Sequence, residues 1–112
     1  MLTSDEKLEQ RLEEIRSLTD EWADAKSTYD YLYDYRKSLL SILAKQSKET
    51  SNAGQLTEAR RHPEYLKLLE DLREANKRQE QLRWELRVVE IRFSAWQTRR
   101  ADQRAERRAY GA

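Results

Sequence analysis

The chain has 112 residues, no cysteine and a formal net charge of +1, and this length suits one domain over residues 1–112. More than half of the residues are Ala, Glu, Lys, Leu or Arg, which is typical of coiled coils and long helices, so strands are not expected. The lack of cysteine excludes disulfides, thiolate nucleophiles and cysteine-ligated metal sites.

The first predicted element is a helix over residues 4–46. Thr3 and Glu6 have the spacing of a capping box, in which each side chain satisfies a backbone N–H at the start of a helix. Apolar residues then alternate at spacings of three and four, which places them on one stripe of a helix that pairs with another helix. These residues are Leu8, Ile15, Leu18, Trp22, Ala25, Tyr29, Leu32, Leu39 and Leu43.

Residues 47–62 are predicted to form a polar connection. Ser51, Asn52 and Gly54 offer turn chemistry, and Leu56 is the candidate apolar tether. The segment is longer than a tight helical hairpin needs, so a helical turn is expected within it, over residues 57–61. His62 is the only histidine, and we expect it to cap a helix or to face solvent.

A second long helix is predicted over residues 63–109. Pro63 suits its first position, where the missing N–H needs no partner and φ is already helical. The stripe of alternating spacing reappears here, in Tyr65, Leu68, Leu72, Ala75, Leu82, Leu86, Val89, Phe93 and Trp96. The predicted fold is therefore all-α, an antiparallel, coiled-coil-like hairpin of two long helices.

A second apolar ridge favours assembly beyond two helices. Trp84, Val88, Ile91 and Ala95 lie on another face of the second helix, which one partner helix would leave in contact with water. Self-association into an oligomeric helical bundle would cover this ridge, and the alternative is a groove that awaits a different protein. The pattern leaves open whether the hairpin closes within one chain or swaps between two.

The tyrosine-rich run from Tyr29 to Tyr35 adds a further candidate interface. Taken alone its alternation is typical of a strand, but the surrounding heptads favour a helix. On a helix, Tyr31 and Tyr35 form a ladder that points away from the seam. The predicted protein-interface residues are therefore Trp84, Val88, Ile91, Tyr31 and Tyr35, and the tyrosines could alternatively stack on a base.

Basic residues accumulate at the end of the second helix. From Arg92 onward six arginines face two acidic residues, whereas ten acidic residues face four basic ones between Asp5 and Asp34. In an antiparallel hairpin the acidic start lies beside this basic end, and that pairing by itself can explain the arginines. Alternatively the arginines contact nucleic-acid phosphates while Trp96 stacks on an unpaired base. The candidate nucleic-acid contacts are Arg99, Arg100, Arg104, Arg107 and Arg108.

The sequence contains no catalytic or cofactor signature. A single histidine leaves no two-histidine metal site and no histidine relay within one chain. Gly54 lacks the companions that a phosphate-binding loop requires. We therefore expect a protein that is not an enzyme and has no catalytic residues, cofactor or metal.

No stretch approaches the roughly 18 apolar residues of a membrane span, and Met1 to Lys7 lack the basic and apolar regions of a signal peptide. A cytoplasmic location without membrane association is expected.

Two segments resemble small helical proteins that tailed bacteriophages encode, often in early or recombination regions. The segments are residues 56–65, LTEARRHPEY, and residues 93–107, FSAWQTRRADQRAER. The resemblance covers roughly the second half of the chain and transfers no functional residues. It implies an accessory protein that acts in the cytoplasm of an infected bacterium, by binding a host or phage protein or by assisting DNA transactions.

The leading hypothesis is a non-enzymatic, phage-type accessory protein that acts through helix-mediated protein binding and self-association, as a homo-oligomer. One alternative is a DNA-binding accessory protein of recombination that uses the arginine-rich helix. Another is a nucleotide-sequestering anti-defence protein, because some phage helical proteins block bacterial defence in that way. The pair of Tyr31 and Tyr35 is compatible with this last role.

Overall fold

The computed structural model describes residues 1–111, and their regular structure is entirely helical. Helix α1 runs over Ser4–Gln46, α2 over Asn52–Arg61 and α3 over Pro63–Ala109. The predicted all-α class is confirmed. The two long helices predicted over residues 4–46 and 63–109 are present as α1 and α3, and the connection 47–62 contains α2 as a third, short helix. Across residues 1–111, no helix combines the length and the apolar character needed to cross a membrane.

Helix α1 begins with the predicted capping box. The backbone N–H of Glu6 donates to Thr3 Oγ1 at 3.1 Å, and the backbone N–H of Thr3 donates to Glu6 Oε2 at 3.2 Å. Two donors at the helix start are thereby satisfied. The backbone N–H of Lys7 also donates to the Thr3 carbonyl at 3.0 Å, which closes the first turn.

Ser51 is the N-cap of helix α2 and not only a turn residue. Its extended backbone precedes the helix, and its Oγ accepts a hydrogen bond from the N–H of Gly54 at 3.0 Å. A Cβ at position 54 would lie 2.9 Å from that same Oγ, so glycine permits the close approach. The expected helical turn over residues 57–61 therefore starts earlier, at Asn52.

The apolar anchor of α2 is Ala59 and not the expected Leu56. Ala59 is buried in the core, whereas Leu56 remains exposed. Residues three apart are offset by only about 60° around a helix, so the core contacts α2 on the Ala59 edge of this side and leaves Leu56 at its border.

His62 and Pro63 connect α2 directly to α3. The N–H of His62 donates to the Ala59 carbonyl at 3.1 Å, and its Nδ1 accepts from the N–H of Glu64 at 3.1 Å. His62 thus caps the end of one helix and the start of the next, as expected for this position. Pro63 is the first residue of α3, where it needs no hydrogen-bond donor.

The contacts divide the chain into two compact units. Unit 2, Trp22–Gln81, has a core to which all three helices contribute. This core consists of Leu39, Leu43, Ala59, Tyr65, Leu68 and Leu72. Its α1 and α3 members are stripe residues of the sequence pattern, and their spacing of three or four keeps each set on one side of its helix.

Unit 1 combines Met1–Glu21 with the chain from Leu82 onward. Its buried residues are Leu82 and Val89, which lie on the predicted stripe of α3. Stripe residues of α1 in this unit, such as Leu8 and Ile15, are only half-buried. The apolar stripe of α3 is therefore the more completely covered of the two.

Leu68 and its neighbour Leu69 provide a direct test of the stripe. Leu68 is 5% exposed and Leu69 is 38% exposed. We expect Leu68→Ala to lower the free energy of unfolding by about 2–5 kcal/mol, because burial is reduced and a cavity remains. The control Leu69→Ala should cost about 1 kcal/mol or less. Urea unfolding followed by circular dichroism measures both, and equal effects would contradict the assigned helix face.

Candidate interaction surfaces

The outer face of α3, defined as Trp84, Val88, Ile91 and Ala95, is an exposed apolar surface in unit 1. Trp84 is 62% exposed, Val88 43% and Ile91 54%, and Ala95 is also exposed. Large apolar side chains grouped in this way mark interaction sites more often than scattered ones do. The predicted ridge therefore faces solvent in the folded chain.

The outer face lies on the side of α3 opposite to the buried stripe. Trp84 and Ile91 follow the buried Leu82 and Val89 by two positions each. Two residues correspond to about 200° around a helix, so these side chains point away from the residues that unit 1 buries. Helix α3 is thus apolar on two opposite sides in this unit, which one partner helix cannot cover.

Charged side chains border the outer face. The guanidinium of Arg83 lies 5.9 Å from the centre of a Trp84 ring, within the range of a cation–π contact. Arg87 and Glu90 form an ion pair at 3.8 Å within the helix. Glu85 and Arg92 are both exposed and lie seven residues apart, so they border the same edge of the face.

The tyrosine ladders are present in unit 2. The rings of Tyr31 and Tyr35 stack at 6.3 Å between centroids with an angle of 1° between their planes. Tyr29 and Tyr33 form the other ladder at 6.1 Å, with an angle of 39°. Tyr31 is 68% exposed, so most of its surface is available to a partner.

A shallow groove of about 310 Å³ lies between Tyr31 and Tyr35 on one side and α3 on the other. This ladder therefore borders the seam between the helices, and the expectation that it points away from the seam is wrong. The charged lining of the groove comes from α3 and consists of Glu64, Lys67 and Asp71. Lys67 Nζ lies 3.4 Å from Asp71 Oδ1, so the single lysine already faces a carboxylate. Two carboxylates against one lysine suit an uncharged or cationic group better than a phosphate.

The arginines at the end of α3 do not all share one side. Arg100, Arg104, Arg107 and Arg108 are separated by steps that place them on one side of the helix, whereas Arg99 lies off this side. Asp102 and Glu106 lie on the opposite side by the same geometry. All residues from 101 to 110 are exposed.

Trp96 is half-buried and is contacted by two guanidinium groups. Arg11 of α1 and Arg100 of α3 each lie 5.0 Å from the centre of a Trp96 ring, and Phe93 lies 5.9 Å away. These arginines cover the part of the Trp96 ring on which the sequence pattern places an unpaired base. A base could stack on Trp96 only after a guanidinium moved aside.

Basic residues of α1 also lie beside Trp96, and the sequence pattern did not indicate them. Lys7 and Arg11 line one cleft beside this ring, together with Glu14, and Arg100 and Arg104 line another. Lys7 and Arg11 lie within the acidic segment from Asp5 to Asp34, so the net negative charge of that segment does not reveal them. The available signal was the spacing, since Arg11 lies three residues after Leu8 in the apolar register.

In unit 2, two polar residues occupy positions of the apolar stripe. Gln79 is 8% exposed, and its Nε2 donates to Asn76 Oδ1 at 2.9 Å and to Glu80 Oε1 at 3.1 Å. Arg36 is half-buried, and its guanidinium lies 4.8 Å from the centre of the Tyr33 ring. Both residues occupy heptad positions that apolar residues occupy elsewhere. Polar residues at such positions lower the stability of helix pairing and favour one alignment of the paired helices.

Among residues 1–111, no group of three or more His, Cys, Asp or Glu side chains is arranged to hold a metal ion. No protein-family model, curated protein or solved structure matches this chain.

Proposed function

We propose that this protein is a non-enzymatic binding module that acts by helix-mediated protein interaction and self-association. The observation that carries the proposal is the outer face of α3, whose large apolar side chains face solvent on the side opposite to the buried stripe. Covering such side chains with a partner helix removes apolar surface from water, which is the main driving force of association.

In this proposal α1 and α3 form an antiparallel, coiled-coil-like hairpin that closes within one chain. The start of α1 shares unit 1 with the end of α3, and the end of α1 shares unit 2 with the start of α3. The contact of Arg11 with Trp96 supports the same direction. A hairpin of this kind presents its outer faces to other molecules and holds them rigidly.

The proposed biological setting is a phage-type accessory protein in the cytoplasm of an infected bacterium, where it would bind a host or phage protein. The resemblance of residues 56–65 and 93–107 to helical phage proteins supports this setting. A nucleotide-sequestering role has weaker support, because the groove beside Tyr31 and Tyr35 carries more carboxylates than lysines.

Replacing Trp84 and Ile91 together with glutamate tests the binding role. We expect sedimentation equilibrium to show the wild-type chain as an oligomer and the double variant as a monomer, since charges on the outer face would be buried unpaired. Far-ultraviolet circular dichroism should remain that of a helical protein. The matched control replaces Leu66 and Leu69, exposed apolar residues of unit 2, and should leave the oligomer intact. An unchanged mass for the outer-face variant would contradict the proposal.

Nucleic-acid binding is a second candidate function, favoured by the basic groups around Trp96. Lys7 and Arg11 of α1 and Arg100 and Arg104 of α3 line adjoining clefts beside this ring. Asp102 and Glu106 lie on the opposite side of α3 from Arg100 and Arg104. The side that carries the arginines could therefore contact a phosphate backbone without repulsion from these carboxylates.

A triple substitution to glutamine, at Arg104, Arg107 and Arg108, tests this second function. In fluorescence anisotropy with labelled single- and double-stranded DNA, binding should weaken steeply as salt rises. The triple variant should reduce the salt slope by about two to three, close to one for each phosphate that is no longer neutralised. Arg99→Gln is the control, since Arg99 lies off this side of the helix. Absence of binding at low salt would exclude DNA as a ligand.

A further inference from the structure

We infer that the partner of the outer face is the same face of a second copy, with the two α3 helices antiparallel and a twofold axis midway between Val88 and Ile91. This inference rests on the binding role proposed above and identifies the molecule that covers the outer face. The arrangement is a second heptad seam, on the side of α3 opposite to the buried stripe. An isologous contact of this kind closes at two copies, so the outer face does not support further growth.

The side chains of the outer face are self-complementary in size. Pairing about the midpoint places Val88 opposite Ile91 of the second copy, and Trp84 opposite Ala95. The largest side chain of the face thus meets the smallest, twice in each dimer. Large residues opposite small ones let facing layers interlock without voids or overlap. The exposed Trp84 of each copy becomes buried, and the two are equivalent by symmetry.

The charges along one edge of the face are complementary as well. Glu85 and Arg92 border the same edge, and both are exposed. In the antiparallel arrangement each Glu85 lies beside Arg92 of the second copy, so two reciprocal ion pairs form. The opposite edge brings Arg87 beside Ser94 of the second copy, which introduces no like-charge contact. Interhelical pairs at such positions set the orientation of paired helices.

The parallel arrangement is disfavoured by the same residues. It would place Trp84 against Trp84 at one end of the face and Ala95 against Ala95 at the other, so one end would be overfilled and the other underfilled. It would also bring Arg87 of each copy beside Arg92 of the other, since these positions face each other in parallel coiled coils. Like charges at an interface select against that orientation.

Charge exchange between Glu85 and Arg92 tests the inference. Glu85→Arg alone, or Arg92→Glu alone, turns both ion pairs into like-charge contacts. Sedimentation equilibrium should show a dimer dissociation constant raised by about tenfold in either variant. The double variant restores both pairs with reversed polarity and should return to within about twofold of the wild type. A mixture of the two single variants should form mixed dimers, which native mass spectrometry separates by mass.

Glu9→Arg is the matched control, because it makes the same charge change at an exposed position of α1. It should leave the dissociation constant unchanged. Single variants that weaken the dimer without recovery in the double variant or the mixture would overturn the antiparallel pairing. If Trp84 and Ile91 matter for assembly but these charges do not, the binding role stands and the named geometry fails. A wild-type chain that is monomeric at all concentrations overturns the pairing outright.

Discussion

Neither long helix can bury its apolar stripe by itself, and the packing within each unit follows from this constraint. A helix holds its hydrogen bonds internally but leaves one side of its apolar residues in water unless another helix covers them. In unit 2 the residues that become buried along α1 and α3 belong to the stripes set by spacings of three and four, and Ala59 of α2 joins them. The short helix α2 contributes Ala59 to that core, and Ser51 caps its start.

Polar residues at stripe positions limit how the helices can slide past one another. Gln79 is buried yet satisfied by neighbours on its own helix, and Arg36 packs over the Tyr33 ring. In unit 1 Arg11 and Arg100 pack on Trp96. Of these contacts only that of Arg11 with Trp96 joins α1 to α3, so a shifted alignment would break it. The contacts of Gln79, Arg36 and Arg100 lie within their own helices.

Helix α3 differs from an ordinary surface helix because its apolar residues lie on two opposite sides within unit 1. Leu82 and Val89 serve the core, whereas Trp84 and Ile91 remain exposed. The exposed side chains contribute little to the stability of the single chain and increase its tendency to associate. Their exposure on the side of α3 opposite to the core is the physical basis for proposing a binding role. The arginines at the end of α3 form a separate surface, whose positive charge suits phosphate groups.

The sequence by itself determined the helical class, the capping box at Thr3 and Glu6 and the stripe residues, because these depend on neighbours within one or two turns. It also identified the outer face, since one partner helix cannot cover two sides. Only the tertiary structure decided that Ala59 anchors α2 in place of Leu56, and that basic residues of α1 gather at Trp96. Those outcomes depend on which side of each helix meets another helix, and that is settled by residues far apart in the chain.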